Sequence, residues 1–335
     1  MQKKYLAFFL LSFLPVLALA QSTAIITKPN GQEEQFITAM VKHYSFKKSY
    51  LQDILAKANY NEKVIQSIKA PFEKKPWNFY RSYFVTAKRV ELGVAYWQAH
   101  AKTLAAVKKK YGVDPSVIVA ILGVETLYGK HIGGYSELDA LSTLAFHYPP
   151  RSSYFTKELK QYLLLSRSEK LPITEIRGSY AGALGIPQFM PSSYRHYGVD
   201  FTGNKQVNLM NNNADAIASV ANYLKQNGWQ RNEPVATAVK KENAAIPQNL
   251  ISTSAIPKHT LAYFAKRHIL SEQHYNKTLP AALVELENGT QPGEYWFTFA
   301  NFKSIMRYNP SSVYAMAVFQ LSEAIKQAYL HTNTA

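Results

Sequence analysis

Glu125 is the only charged side chain in the long apolar stretch that follows Asp114 and Pro115. These two residues predict a helix start, because an N-cap oxygen and a proline at the first helical position suit the first turn. Helical spacing then places Ile121 and Leu122 on the face of Glu125, and apolar surroundings raise the pKa of a carboxyl group. A protonated carboxyl is the proton donor that a glycosidic oxygen needs as it leaves. An ordinary ion pair with one of the 38 Lys and Arg residues is the open alternative.

A glycine-rich segment, residues 178–194, is the second candidate for chemistry. Its three glycines at positions 178, 182 and 185 allow another group to approach the backbone closely. Tyr180 and Phe189 offer flat apolar faces and Gln188 offers an amide, a combination that suits sugar rings with their apolar faces and hydroxyl edges. The glycine spacing does not match a phosphate-binding loop. A tight turn between two packed helices is the alternative reading.

A third cluster, Arg-Tyr-Asn-Pro-Ser, occupies residues 307–311, and Tyr314 follows one turn later. Asn309 before Pro310 also predicts an ordinary turn that opens the last helix. The chain contains 23 tyrosines, a number that suits either core packing or an extended glycan groove.

The composition limits the class of protein. Lys3 and Lys4 precede an apolar run and a small-residue site at 18–20, so residues 1–20 predict a cleaved secretory signal and a periplasmic protein. No later stretch has the roughly 18 apolar residues that a membrane span needs. The absence of cysteine excludes disulfides, thiolate metal sites and a lipid anchor on an N-terminal cysteine. The net charge of +16 favours anionic partners such as the cell wall, while the export signal argues against nucleic acid.

The remaining pattern is mostly helical. We predict helices over residues 33–111, including one long helix over residues 85–110, and more helices in the motif-rich residues 114–230. Scattered Pro and Gly with short apolar runs predict a small lobe with some strands before residue 300. A final helix is predicted from residue 311 onward.

The three segments together resemble the lytic murein transglycosylase B family. Residues 123–129 look like its catalytic-glutamate helix, residues 178–194 like its glycan-binding segment, and residues 307–311 with Tyr314 like its third groove motif. Residues 146–151 and 215–229 also fit, and the order of the motifs holds over most of residues 33–325. The resemblance implies a mainly α fold: a lysozyme-like helical core, an added helical lobe and a small β-containing lobe.

The expected domains follow this division. They are a signal peptide (1–20), an N-terminal lead-in and helical lobe (21–113), a lysozyme-like catalytic core (114–230), a small α+β lobe (231–300) and a C-terminal helix that packs back on the core (301–335).

The family cleaves the β-1,4 bond between N-acetylmuramic acid and N-acetylglucosamine in peptidoglycan glycan strands, without water, and leaves a 1,6-anhydro sugar. The resemblance implies that Glu125 serves first as the acid and then as the base, while the C6 hydroxyl of the substrate attacks. It also implies glycan contacts by Ser179 and Gln188 near the acid, and a contact between Arg151 and the peptide stems. The remaining implied groove residues are Tyr80, Tyr154, Tyr223, Tyr308, Asn309 and Tyr314.

The family prototype binds calcium in a loop just after the glycine-rich segment, and here that loop carries Asp200, Thr202, Asn204 and Asp215. Lys205 stands where the loop needs a glycine, and its positive charge opposes a cation. The run to Asp215 is also one residue longer than in the family. We therefore predict that no cofactor is required, and these four residues are the candidate ligands should calcium bind. The nine histidines are dispersed without a zinc-binding pattern.

Two other functions stay open. A hydrolytic muramidase would need a second carboxylate or a well-placed water, and Glu137 and Asp139, which follow a double glycine, are predicted to face solvent. A non-catalytic peptidoglycan-binding scaffold would use the same groove, with cell-wall synthesis enzymes as candidate partners. Glu125 argues against the scaffold, because binding alone does not require a desolvated acid.

Overall fold

A computed structural model describes residues 31–70, 75–240 and 246–334 of the chain. The predicted signal peptide and most of the lead-in lie outside these residues. Within them the fold is mainly α, as the sequence predicts, and none of the described helices is long and apolar enough to cross a lipid bilayer.

The N-terminal part of the described chain is a set of short helices. They are α1 (Gly31–Tyr44), α2 (Lys48–Leu55), α3 (Glu62–Lys69), α4 (Trp77–Phe84), α5 (Ala87–Ala99) and α6 (Ala101–Tyr111). Side chains cap two of them, since Asn61 accepts a hydrogen bond from the Lys63 amide and Thr86 accepts one from the Arg89 amide. Gly112, with a φ of 77°, ends α6 in the left-handed conformation that glycine adopts readily.

The prediction of one long helix over residues 85–110 is wrong. The chain bends at His100, whose φ and ψ are −117° and 21°, and two helices result. No proline or glycine causes the bend, so the cause is tertiary: α5 packs against α7 (Pro115–Thr126) and α14 (Ser312–Thr334), whereas α6 packs against α11 (Asn213–Gln226). A single straight helix would not face both sets of partners.

Helix α7 lies at the centre of the core. Each of its residues except Glu125 is buried, and α5, α6, α11 and α14 surround it. The predicted N-cap at Asp114 has the right backbone position, but the carboxylate does not cap the helix and instead contacts the Lys108 ammonium at 2.8 Å. The other helices are α8 (Glu137–His147), α9 (Ser152–Ser168), α10 (Pro191–Tyr197), α12 (Leu261–Ala265) and α13 (Ala300–Tyr308).

The strands form two small antiparallel sheets. The first joins β1 (Tyr135–Ser136) to β2 (Arg177–Gly178), beside the glycine-rich segment. The second has the order β3–β6–β5–β4, and its strands are β3 (Ala236–Ala238), β4 (His259–Thr260), β5 (Pro280–Asn288) and β6 (Gln291–Thr298). This second sheet has an apolar cluster of its own, which includes Phe264, Phe297 and Phe299, so the predicted small β-containing lobe is confirmed. The exact domain boundaries stay predictions.

Candidate active site

Glu125 is half-buried on the last turn of α7, at the point where the helix ends abruptly. Leu127, Tyr128 and Gly129 follow with φ values of 50°, 62° and 84°, a left-handed conformation that is strained for the first two. The Tyr128 hydroxyl donates to the carbonyl oxygen of Arg89 at 2.6 Å, which anchors this turn on α5. Strained backbone of this kind persists where surrounding contacts hold it, and it is common beside functional groups.

Thr126, the next residue after Glu125, links α7 to the glycine-rich segment. Its hydroxyl donates to the Ile186 carbonyl oxygen at 2.8 Å and accepts from the Gly129 amide at 2.9 Å. The residue is only 1% exposed. Our reading of the sequence missed this contact, and its one visible signal is the polar residue beside the isolated acid in an apolar helix.

The third sequence cluster, residues 307–311 with Tyr314, lies near the C-terminal end of the sequence and contacts the site of Glu125. The Tyr314 hydroxyl, on α14, donates to Glu125 Oε1 at 2.5 Å, and the Tyr308 hydroxyl donates to the Pro187 carbonyl oxygen at 2.5 Å. Burial, followed by the charge of Glu125, raises the pKa of both tyrosines well above the usual range. Both hydroxyls therefore stay protonated donors, and all three sequence segments meet at one place.

Four neighbouring aromatic rings extend from this meeting point, and one of them belongs to the glycine-rich segment. The Tyr308 ring centroid lies 4.9 Å from that of Tyr223 and 5.6 Å from that of Phe189, and Tyr197 lies 4.5 Å from Tyr223. The Tyr223 hydroxyl donates to the Arg307 carbonyl oxygen. Burial raises the pKa of Tyr223 to about 12. Because Tyr223 is largely buried, its evident role is to support the wall, and its glycan contact stays a prediction.

Ser179 stands in a tight turn of the glycine-rich segment. Its Oγ accepts from the amides of Ala181 at 3.2 Å and Ala183 at 3.0 Å, an arrangement that leaves the hydroxyl hydrogen to donate elsewhere. The turn approaches a neighbouring loop so closely that a Cβ on Gly133 would lie 2.1 Å from the Gly178 carbonyl oxygen. The segment does form a tight turn, but it joins strand β2 to α10 and not two helices, and its contact with glycan stays a prediction.

Gln188 adopts a positive φ of 51°, which few residues other than glycine do. Its Nε2 donates to the carbonyl oxygens of Ile132 at 3.1 Å and Gly185 at 3.0 Å. The amide oxygen accepts no hydrogen bond from the described residues. The side chain is thus held by its nitrogen with its oxygen available to a sugar hydroxyl.

The remaining predicted groove residues differ in exposure. Tyr154 is 37% exposed, and the Arg151 guanidinium lies over its ring at 4.5 Å from the centroid. Tyr80 is only 2% exposed, so the structure places it in the core near Tyr314, and a direct glycan contact would require the site to open. Asn309 is half-buried beside Tyr308. These glycan contacts stay predictions.

The prediction that Glu137 faces solvent is wrong. The β1–β2 pair and a hydrogen bond from the Glu137 amide to the Ile176 carbonyl oxygen, at 3.0 Å, turn this first residue of α8 inward. Its exposed fraction is 0%. Asp139 is half-buried, and its carboxylate accepts from the Asn59 amide at 2.9 Å. The double glycine before Glu137 favoured an exposed turn, but the pairing of β1 with β2 places this residue in the interior.

The loop that aligns with a calcium site is closed by its own hydrogen bonds. The Asp200 carboxylate accepts from the amides of Gly203 at 2.7 Å, Asn204 at 3.2 Å and Lys205 at 2.7 Å, and from the Thr202 hydroxyl at 3.3 Å. Desolvation alone would raise the pKa of Asp200, but these donors together lower it. These donors hold the Asp200 carboxylate to the backbone of its own loop.

Asp215 is engaged in the same way. Its two carboxylate oxygens accept from the amides of Phe201 at 3.0 Å and Asn208 at 2.9 Å. No group of three His, Asp or Glu side chains within the described ranges is arranged to hold a metal ion. No chemistry is assigned to a calcium ion here, and the expectation that no cofactor is required stays a prediction.

We expect the thermal unfolding midpoint to be the same in EDTA and in excess calcium. A ligand bound to the folded state at 100 times its Kd would add about 2.7 kcal/mol to the free energy of unfolding, which calorimetry would detect readily. Asp200→Ala serves as the control, because it removes the hydrogen-bond acceptor and should lower the midpoint equally in both buffers. A calcium-dependent rise for the unaltered chain would show that the loop rearranges to bind the ion.

Comparison with known proteins identifies the family of the chain. Residues 30–323 match the family described as Transglycosylase SLT domain. The chain is 38% identical over 310 residues to Membrane-bound lytic murein transglycosylase B of Escherichia coli (strain K12), an alignment that covers 90% of this chain and 83% of that one.

Two solved structures show the same fold. The Escherichia coli lytic transglycosylase Slt35 in complex with calcium has 38% identity and a TM-score of 0.81, over 90% of this chain and 94% of that one. SltB3 from Pseudomonas aeruginosa in complex with NAG-anhNAM-pentapeptide has 27% identity and a TM-score of 0.76, over 89% and 80%. The expected lysozyme-like core is confirmed by these neighbours. The resemblance is thereby confirmed as membership, and this chain belongs to the lytic transglycosylases of the SLT-domain family.

Proposed function

We propose that this protein is a lytic transglycosylase of peptidoglycan. It cleaves the β-1,4 bond between N-acetylmuramic acid and N-acetylglucosamine and leaves 1,6-anhydromuramic acid ends. The observation that carries the proposal is the hydrogen bond of Tyr314 to Glu125, at the junction of the glycine-rich segment and the 307–311 cluster. The names of its relatives support the reaction class, and the ligand of SltB3, NAG-anhNAM-pentapeptide, contains the anhydro sugar.

Glu125 performs both proton transfers in this proposal. Its protonated carboxyl gives a proton to the glycosidic oxygen as the bond to the anomeric carbon breaks. The resulting carboxylate then removes the proton of the C6 hydroxyl, whose oxygen forms the new bond to the anomeric carbon. The acid is restored, no water is consumed, and the attacking oxygen is already tethered beside the carbon, which gives a high effective molarity.

The neighbouring groups prepare Glu125 for its second step. Tyr314 donates to Oε1, and such a hydrogen bond stabilises the carboxylate that exists between the two proton transfers. Ser179 and Gln188 hold the sugar near the acid, with Tyr80, Tyr223, Tyr308 and Asn309 along the groove. Tyr154 and Arg151 lie further along, where Arg151 meets the carboxylates of the peptide stems.

Hydrolysis is the less supported alternative. Most glycosidases place a second carboxylate roughly 5 to 9.5 Å from the acid, where it reaches the sugar or a water. Glu137, a second acid beside the glycine-rich segment, is completely buried, so it is closed off from solvent and glycan alike. A non-catalytic scaffold would not require the hydrogen-bonded pair of Glu125 and Tyr314.

The products of digestion test the proposal. We expect purified peptidoglycan treated with the protein to release anhydro-muropeptides, identified by mass spectrometry as one water lighter than the reducing-end forms. Reducing-end muropeptides would mean hydrolysis, and binding without any product would mean a scaffold.

We also propose that the protein is exported to the periplasm by its first 20 residues. The basic start, apolar run and small-residue site support this, and we expect the mature chain to begin at Gln21. N-terminal sequencing of the protein from a periplasmic extract checks the point. An uncleaved chain recovered from the cytoplasm would contradict it.

The link through Thr126 gives a separate test. Thr126→Val keeps the side-chain shape but leaves the Ile186 carbonyl and the Gly129 amide without their partner. We expect the free energy of unfolding to fall by about 1–3 kcal/mol, and kcat/KM to fall about tenfold because the glycine-rich segment shifts relative to Glu125. Thermal unfolding and glycan cleavage assays measure the two effects.

Thr143→Val is the matched control for this variant. Thr143 is equally buried, and its hydroxyl oxygen accepts from the Asn61 amide at 3.0 Å, a contact with the N-terminal helices and not with the glycine-rich segment. Its loss should reduce stability without changing kcat/KM. Equal losses of activity in the two variants would mean that Thr126 acts through general stability alone.

A further inference from the structure

Glu137 is a buried carboxyl group that the proposed reaction does not use. Its exposed fraction is 0%, and neither carboxyl oxygen has a hydrogen-bond partner among the residues that the structure describes. A buried carboxylate without partners is costly, so the neutral form is favoured. Burial, followed by the negative charge of Glu158, raises the pKa of Glu137 well above its usual range. Burial therefore favours the uncharged form of this side chain.

The carboxyl group lies directly against the glycine-rich segment. A Cβ on Gly178 would stand 2.3 Å from Oε2, and one on Gly182 would stand 3.2 Å from Oε1. Oε2 thus lies where a Cβ on Gly178 would clash, whereas the crowding at Gly182 comes first from Leu141, whose Cδ2 would lie 2.3 Å from the added Cβ. Between these glycines runs the turn of Ser179, in which the Ser179 amide donates to the Ala183 carbonyl oxygen at 2.9 Å.

We propose that Glu137 is a positioning residue, which supports the turn of residues 178–183 from beneath and so holds Ser179 against the glycan. The inference rests on the proposed glycan contact of Ser179. The Ala183 carbonyl oxygen and Glu137 Oε2 approach the same point, since a Cβ on Gly178 would lie 2.6 Å from the former and 2.3 Å from the latter. A neutral carboxyl tolerates that neighbour, whereas a charged one would be repelled by the carbonyl dipole and would displace the turn.

The groups that face Glu137 determine when this repulsion begins. Helix α9 contributes Glu158 and Tyr162. The Glu158 carboxylate accepts from the amide and hydroxyl of Ser192 at 2.9 and 2.7 Å. Burial, and then the charge of Glu137, raise the pKa of Tyr162, which therefore stays neutral.

Of the charged groups in the described residues, Glu158 is the one that shifts the pKa of Glu137, and Lys63 of the neighbouring α3 is exposed. Residues 178–189 contain no charged side chain, and Arg177, the adjacent residue of β2, is exposed. On α8 itself, Asp139 is negative and hydrogen-bonded to the Asn59 amide. Ionisation of Glu137 at alkaline pH would therefore go uncompensated.

The sign of the pH effect follows from linkage. Glu137 holds its proton more tightly in the folded chain than in the unfolded chain, so stability falls as pH rises from the usual pKa of Glu towards the raised one. Glu137→Gln removes the titrating group and keeps the shape. The unfolding midpoint of this variant, relative to that of the unaltered protein, should therefore rise as the pH increases above the usual pKa of Glu.

Three variants of the full mature protein test the proposal with a soluble GlcNAc–MurNAc tetrasaccharide. For Glu137→Ala, which removes the support, we expect KM to rise about tenfold or more while kcat changes less. For Glu137→Gln we expect KM within about twofold of the unaltered enzyme at pH 7, and no rise of KM at alkaline pH. Leu144→Ala, a cavity-forming change in the same helix, should lower the unfolding midpoint and leave KM unchanged.

Two outcomes overturn the proposal, and a third separates it from the proposed function. If Glu137→Ala resembles Leu144→Ala, with a lower midpoint and an unchanged KM, Glu137 is only part of the core. If Glu137→Gln is as impaired as Glu137→Ala, an ionised carboxylate is needed and the residue belongs to the chemistry. If the unaltered protein binds the tetrasaccharide but does not cleave it, the proposed function fails, and the same comparison is then made on the dissociation constant by calorimetry.

Discussion

Glu125→Gln is expected to lower kcat/KM for peptidoglycan cleavage by about 1000-fold or more, because one group supplies both proton transfers and an amide supplies neither. The substitution keeps the size of the side chain. Its amide oxygen can still accept from the Tyr314 hydroxyl, so the groove should keep its shape. Release of soluble muropeptides, followed over time at equal enzyme concentration, measures the loss.

The control for Glu125→Gln is binding. We expect its affinity for peptidoglycan, measured by sedimentation with insoluble glycan, to stay within about threefold of the unaltered protein, since the acid acts mainly in the transition state. Retained binding with lost cleavage assigns Glu125 to the chemistry. Substantial remaining cleavage would require another proton donor in the groove and would exclude the single-acid mechanism.

Tyr314→Phe is expected to lower kcat about 10-fold to 100-fold, because a hydrogen bond to a charged group contributes about 1.5–3 kcal/mol. The hydroxyl donates to Glu125 Oε1 at 2.5 Å, and its raised pKa keeps the proton on the tyrosine over the working range. Its loss destabilises the carboxylate form of Glu125 and so raises the pKa of that carboxyl. The alkaline limb of the pH–rate profile should therefore move to higher pH.

Tyr194→Phe provides the comparison for Tyr314→Phe. Tyr194 is also buried, and its hydroxyl donates to the Val207 carbonyl oxygen at 3.0 Å and accepts from the Leu209 amide at 2.8 Å. We expect this variant to lose stability and to keep the pH profile. An unshifted alkaline limb in Tyr314→Phe, with the same loss of kcat as Tyr194→Phe, would show that the Tyr314 hydroxyl acts only through packing.

Much of the helical architecture follows from the sequence, because its signals are local and strong. An isolated acid in an apolar helix predicts a buried central helix with one polar position, and α7 has that character. Alternating apolar runs with Pro and Gly predict the small sheet, which forms between residues 236 and 298. Glu125 stands out in the sequence alone because a charge among apolar residues is costly.

The contacts around Glu125 depend on tertiary structure and could not be predicted from local sequence patterns. The bend at His100 results from partners on two sides, and the burial of Glu137 results from pairing between strands about 40 residues apart. In the sequence Thr126 shows only as a polar residue beside Glu125, and its partner Ile186 cannot be inferred from that. The family resemblance brings the three segments together, but which hydroxyl meets which carboxyl oxygen appears only in the fold.

The hydrogen bond between Tyr314 and Glu125 joins residues that are 189 positions apart. Pairing across so long a separation forms late, because the closure of a large loop precedes any gain from the contact. A chain that is still incomplete, or one that has lost α14, would hold the acid without this donor. The full wall-cutting activity of this protein is thereby linked to the completion of its own folding.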